Sequence, residues 1–281
     1  MQPHEIVMIV IGSIILLGLL FLGLIAYLTK PGTRKCALEK LTKVKFAHRG
    51  LHNEERAENS ISAFRAAVEA GYGIELDVRL SRDGELVVFH DPTLLRMTGI
   101  DGKVIDYTRE ELATFKLGGT EDTIPTLAEV LEVIDGRAPL LVEIKMQGDE
   151  KGIAEKLAEV IKDYRGEYIV ESFNPLALRT FKKLMPKIPI GILSMQYGKE
   201  EAFRGKLLYF LLENLALNFL MRPDFIAYEK GGSRNPILRY IRKTYETPLF
   251  AWTVRSAEEE EEAISDGFDT VIFEKYIAEN K

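Results

Sequence analysis

Apolar positions along the chain follow two different patterns. Residues 6–28 are 23 consecutive uncharged, largely apolar residues. As a helix, that run is about 34 Å long, enough to cross a hydrocarbon core of ~30 Å. From residue 44 onward the pattern changes to short apolar runs, at 44–47, 73–78, 86–89, 139–144, 168–171, 188–193, 225–228, 249–254 and 270–273. Stretches with helical spacing, such as 60–70, 126–134 and 152–164, lie between most of them. This alternation predicts a parallel sheet with crossover helices. The runs number nine, but the link from Val78 to Leu86 is short and contains Asp83-Gly84. A parallel crossover needs about a dozen residues or more, so 86–89 is predicted to return antiparallel as a hairpin. Eight strands remain, the number in a TIM (β/α)8 barrel.

The first 29 residues are predicted to be a retained membrane anchor. A cleaved signal peptide is the alternative, but Met1–Glu5 contains no Lys or Arg, the apolar run is long for an h-region, and no A-x-A site follows. Tyr27 suits the bilayer interface. Lys30, Arg34, Lys35, Lys40, Lys43 and Lys45 follow the run, whereas only His4 and Glu5 precede it. The positive-inside rule then places the following domain in the cytosol at the cell membrane, as a single-pass protein. The same charges suit anionic headgroups, and the two readings are compatible. Pro31-Gly32 ends the helix. The expected organisation is an anchor over 1–29, a tether over 30–43 and a barrel domain over 44–281.

Composition narrows the classes. Hydrophobic residues at 46% and charged residues at 28% describe a globular chain. A net charge of −6 leaves no basic footprint for nucleic acid. One cysteine, Cys36, excludes an intramolecular disulfide and a Cys-based zinc cluster. The acidic run 258–262 fits the solvated first turn of a helix. The apolar stretch 206–221 is too short to span a bilayer. It is either a helix buried against the barrel or an interfacial lid, and a lid would favour a substrate that keeps an acyl chain.

In an eight-stranded barrel the chemistry sits just past the C-terminal ends of the strands. Ionisable residues collect there: His48 and Arg49 after the first run, Glu75 and Asp77 in the second, Glu143 and Lys145 at the end of another. Glu75-Leu76-Asp77 has strand spacing, so both carboxylates face one side. A divalent cation held with Glu143 would relieve their repulsion, and oxygen ligands favour Mg²⁺ or Ca²⁺. A structural Glu/Asp–Arg network is the competing account. His48 and His90, near adjoining strand ends, suit general acid and base work. Arg49 and Lys145 offer fixed cations for a phosphate, or simple charge balance. Asp91 either orients a histidine or caps the turn before Pro92, and His52 is expected at the surface.

The segment FAHRGLHNEERAENSISAFRAAVEAGYGIELDVRLSRDGELVVFHDPTLLRMT, residues 46–98, closely resembles the signature of the glycerophosphodiester phosphodiesterase family. That signature runs H-R-G, P-E-N-[ST] before an A-F helix, E-x-D-V, a D-G turn and V-x-H-D. LVEIK at 141–145, Ser172-Phe173, Trp252-Thr253-Val254 and the closing strand at 269–273 match as well. The resemblance implies a TIM barrel with one divalent cation, Mg²⁺ or Ca²⁺, with Mn²⁺ also compatible. It implies hydrolysis of a glycerophosphodiester to sn-glycerol 3-phosphate and an alcohol, and the expected anchor puts that activity at the membrane surface, in lipid metabolism. By position, Glu75, Asp77 and Glu143 correspond to metal ligands and His48 and His90 to the acid/base pair. Arg49, Lys145, Glu58, Asn59 and Trp252 correspond to substrate contacts, although Trp252 also fits plain core. Ala57 stands where the family has proline, and Phe273-Glu274 where many members have T-D. A lysophospholipase D acting on lysophospholipids is the alternative activity; a silent scaffold barrel is disfavoured by the complete set of ionisable residues.

Overall fold

In a computed structural model of the chain, residues 2–32, 34, 38–145 and 152–279 are described. Lys35 and Cys36 lie outside the described residues. Eight parallel strands close into a barrel: β1 (Phe46–Ala47), β2 (Gly73–Leu80), β4 (Leu140–Ile144), β5 (Tyr168–Ser172), β6 (Ile190–Ser194), β7 (Phe225–Glu229), β8 (Leu249–Val254) and β9 (Thr270–Phe273). β3 (Leu86–Val88) returns antiparallel on the far half of β2, with Val78 opposite Val88 and Leu80 opposite Leu86. It takes the edge that β1 leaves free, since β1 pairs with β2 only at Phe46–Gly73 and Ala47–Ile74. The predicted barrel, hairpin and strand count therefore hold. Only β1 is much shorter than its apolar run.

Helices begin where side chains can receive their free N–H groups. Ser60 caps α2 (Ile61–Glu69), and Thr126 caps α5 (Leu127–Ile134) with Glu129 closing a capping box. Asn174 and Asn235 cap α7 (Pro175–Leu184) and α9 (Pro236–Tyr245), both with proline in the first turn. α6 (Ile153–Ile161) completes the crossover between β4 and β5. Ser256 caps α10 (Ala257–Ser265), and Glu258, Glu259 and Glu260 occupy its first turn as expected. Two of these acids are also paired, Glu259 with Lys230 and Glu260 with Lys45. Two short helices, α3 (Leu95–Thr98) and α4 (Arg109–Leu112), follow the hairpin.

Strand periodicity sorts the side chains into two shells. Ile74, Leu76, Val78, Val142, Val170, Ile226 and Val271 point outward into the core shared with the helices. Phe46, Leu141, Ile169, Phe225, Phe250 and Ile272 fill the barrel interior, together with Leu38 and Leu41 from the expected tether. On β2, β4 and β5 the next inward positions are acids, Glu75 and Asp77, Glu143 and Glu171, and they form the floor of the site.

α1 (Pro3–Thr29) is one helix long and apolar enough to cross a membrane. Its last turn is joined to the chain ahead of β7. Asn218 Nδ2 donates to Thr29 O at 3.0 Å, and Arg222 Nη1 donates to Tyr27 O at 2.8 Å and Lys30 O at 3.1 Å. The stretch 206–221 is not one continuous helix. It is α8 (Leu207–Glu213), a break at Leu215 with positive φ, and a 3₁₀ turn at Asn218–Leu220. Leu215 and Met221 are buried, but Leu207, Leu208 and Phe210 are 71%, 54% and 63% exposed. A single helix buried against the barrel is thus excluded for its first half.

Candidate active site

Strand register brings three carboxylates level. Asp77 lies opposite Glu143, and Glu143 opposite Glu171. Glu75, Asp77 and Glu143 each offer an oxygen within 4.8 Å of the others, and all three residues are buried. Two elements outside the barrel hold them in place. The Arg49 N–H donates to Glu75 Oε2 at 2.9 Å. Asn59 Nδ2 donates to Asp77 Oδ2 at 2.8 Å, and the Asp77 N–H donates back to Asn59 Oδ1 at 3.3 Å. Arg49 and Asn59 both have left-handed backbone, φ 57° and 56°, and the Asn59 N–H donates to Arg49 O at 2.9 Å. Non-glycine residues hold that conformation only where their surroundings impose it. Here the strained pair is what turns one backbone N–H and one side-chain amide toward the acids.

The charge in this layer is unbalanced. Lys145 Nζ lies 2.8 Å from Glu143 Oε2 and 3.0 Å from Asp77 Oδ1, and Arg49 Nε lies 3.4 Å from Asp77 Oδ2. Two cations therefore face four buried acids, Glu171 included. Desolvation and the neighbouring carboxylates push Glu75 well above the usual carboxylate range. Burial, opposed by Lys145 and aided by Asp77, raises Glu143 to about 7. Asp77 goes the other way: burial is outweighed by Lys145, His90 and Arg49, which hold it far below the usual range. An all-oxygen donor set with a surplus of negative charge fits a hard divalent cation.

The two histidines are held in the same way. His48 Nδ1 donates to Glu274 Oε2 at 2.7 Å, and Arg255 Nε donates to Glu274 Oε1 at 2.7 Å. His90 Nδ1 donates to Asp91 Oδ1 at 2.6 Å, and Arg96 Nε donates to Asp91 Oδ2 at 2.5 Å. A carboxylate can only accept, so each imidazole carries its proton on Nδ1 and leaves Nε2 as the reactive nitrogen. His48 Nε2 lies 3.9 Å from Glu75 Oε2. Desolvation lowers both imidazoles, His90 to about 4 and His48 below its ordinary value. Arg79, buried on β2, donates from Nε and Nη2 to the His90 carbonyl at 2.8 and 2.7 Å and fixes the turn that carries it.

A cavity of about 180 Å³ opens over these groups, lined by His48, Arg49, Glu75, His90, Glu143 and Lys145 among others. The sequence-predicted histidines, acids and cations thus converge, with Trp252 on the same wall. Trp252 packs edge-on against Phe173 with ring centroids 5.4 Å apart. Glu58 and Asn59 do not line the cavity. Asn59 spends its amide on Asp77, and Glu58 accepts from Arg49 Nη1 at 2.8 Å and Arg96 Nη2 at 2.6 Å. His52 is half-buried, 3.9 Å from Glu274 Oε2, and not the surface residue expected. Sequence reasoning missed Glu171, Arg96 and the His48 contact of Glu274. Glu171 alone left a readable signal, the same apolar-then-acid inward alternation as Leu141 and Glu143.

Comparison with known proteins agrees with this chemistry. The model of the glycerophosphoryl diester phosphodiesterase family matches residues 48–276. A glycerophosphodiester phosphodiesterase of Caldanaerobacter subterraneus is 38% identical over 238 residues, covering 80% of this chain and 91% of that protein. A lysophospholipase D of Rattus norvegicus is 32% identical over 136 residues, 44% of this chain and 42% of that protein. Among solved structures, a phosphodiesterase of Oleispira antarctica in complex with the product sn-glycerol 3-phosphate matches with TM-score 0.68 at 26% identity. It covers 82% of this chain and 92% of its own.

Proposed function

The chain belongs to the glycerophosphoryl diester phosphodiesterase family, and from that premise we propose that it releases sn-glycerol 3-phosphate at a membrane surface with the aid of one divalent cation. It is an enzyme, a phosphoric diester hydrolase on a TIM barrel. One observation supports this reading most directly: Glu75 and Glu143, two of the three acids that close to within 4.8 Å, line a cavity with His48, His90, Arg49 and Lys145.

Glu75, Asp77 and Glu143 would hold the cation, Mg²⁺ or Ca²⁺, which when bound supplies charge neutralisation for the phosphate. Arg49 and Lys145 bind the phosphate oxygens. One imidazole, bare at Nε2, takes a proton from the attacking water or neighbouring hydroxyl, and the other, protonated at both nitrogens, gives its Nε2 proton to the leaving alcohol. Glu274 and Asp91 orient these rings. Glu274→Gln should lower kcat by about 10–100-fold, the usual cost of losing a carboxylate that orients a functional histidine. Steady-state kinetics with an unchanged melting curve checks this, and an unaltered kcat removes Glu274 from the machinery.

Residues 1–29 are the anchor and 30–43 the tether in this reading, with the barrel on the cytosolic side. The support is α1, held to the barrel by Asn218 and Arg222, together with the basic flank that follows it. The exposed Leu207, Leu208 and Phe210 favour a second reading, in which lysophospholipids are also cleaved. A product assay on the full chain in detergent, offered glycerophosphocholine, glycerophosphoethanolamine, glycerophosphoglycerol and a lysophospholipid, tests both. Glycerol 3-phosphate is the expected product. Lysophosphatidic acid formed from the lysolipid alone would reverse the order of the two readings. No release from any of them would sink both.

A further inference from the structure

Glu171 stands in the same layer as the metal-site acids and has no part in the mechanism above. Its residue is 1% exposed and its Oε2 has no hydrogen-bond partner among the described residues. A buried carboxyl oxygen left so costs free energy that something must offset. Glu171 lines the cavity beside Phe173, Leu193 and Trp252. It lies opposite Glu143 in register, but it is outside the triad whose oxygens close to within 4.8 Å. An unsatisfied carboxyl beside an aromatic wall is a small amphipathic cradle. It offers hydrogen bonding from one side and contact for C–H groups from the other.

We propose that Glu171 is a specificity-determining residue that hydrogen-bonds a hydroxyl of the substrate's glycerol moiety. The inference rests on the phosphodiesterase reading above and adds the basis on which glycerol is told from other esters. The unpartnered Glu171 Oε2 can accept a hydrogen bond from an alcohol hydroxyl, which supplies the donor that the described residues do not. The Phe173–Trp252 pair covers the carbon face of the same small polyol.

The test compares two substrates with one leaving group, glyceryl p-nitrophenyl phosphate and methyl p-nitrophenyl phosphate, on the full chain in detergent. Glu171→Leu should lower kcat/KM for the glyceryl ester by about 10–100-fold, because a site built around a hydroxyl then lacks its partner. The methyl ester should stay within about threefold. Glu171→Gln keeps a donor and an acceptor and should retain most of the preference. Calorimetry reads the same property without turnover: the wild-type preference for sn-glycerol 3-phosphate over methyl phosphate should vanish in Glu171→Leu, with Mg²⁺ and Ca²⁺ affinity unchanged. Equal losses on both esters, weakened metal binding, or no change in either variant overturns the proposal. If Glu171→Leu does not fold, full loss of the preference in Glu171→Gln does so. A wild-type chain inactive on both esters refutes the phosphodiesterase reading, while the binding arm still decides the role of Glu171.

Discussion

Replacing His48 or His90 with alanine should cut kcat by about 10²–10⁴-fold, the range over which positioned acids and bases contribute. Neither ring supports the core. Both side chains are partly exposed at the barrel mouth, and the carboxylates they leave behind keep arginine partners, Arg255 for Glu274 and Arg96 for Asp91. Circular dichroism and melting should therefore be unaltered. The two variants can also be told apart. A leaving group as acidic as p-nitrophenol departs without a proton, so glyceryl p-nitrophenyl phosphate should restore activity to the variant that lacks the acid. The variant that lacks the base gains nothing, because its nucleophile is still unactivated. Rescue of both variants, or of neither, contradicts a division of labour between His48 and His90. Wild-type rates in either variant exclude that histidine altogether.

What could be read from the chain depended on how local the physical cause was. The barrel followed from apolar runs and the spacing between them, and the hairpin from a link too short for a crossover. Glu75 and Asp77 were visible because the two-residue period of a strand fixes their common face within the sequence itself. Asn59 was visible as part of a motif, but its work was not. Its bond to Asp77 spans 18 residues and depends on the left-handed backbone it shares with Arg49. Glu274 lies 226 residues from His48, and no spacing rule connects them. The break in the 206–221 stretch has a similar origin. Its apolar composition favours one helix, but Tyr228 Oη and Asn235 Nδ2 both donate to Glu213 O and end α8 there. Those partners come from β7 and the cap of α9, which only the closed barrel brings together.

Chelating the divalent cation should abolish turnover and destabilise the protein, and the destabilisation should grow with pH. A cation binds deprotonated carboxylates, so protons compete with it. Glu143 is lifted from 4.5 to about 7 in the metal-free fold, chiefly by burial, and Glu75 is lifted as well. Below pH 7 the metal concentration for half-activity should therefore rise by about tenfold per pH unit for each proton displaced. The stability sign follows from the same shifts. A group whose folded pKa is raised binds its proton more tightly in the fold than in the unfolded chain. The stability it contributes is fully present below pH 4.5 and is lost as pH rises through about 7. Asp77, whose folded pKa is depressed, loses its contribution only as pH falls below its ordinary value of 3.8, outside this window. Between pH 5.5 and 8 the metal-free protein should thus become less stable, whereas bound metal stabilises more strongly as its ligands ionise. Calorimetry with Mg²⁺, with Ca²⁺ and with chelator at both pH values checks the difference in Tm. Glu143→Gln should reduce it, because one of the titrating ligands is gone while Glu75 remains. Activity that survives the chelator, or a metal-induced shift in Tm that is the same at pH 5.5 and 8, would mean that Glu75, Asp77 and Glu143 do not form the cation site.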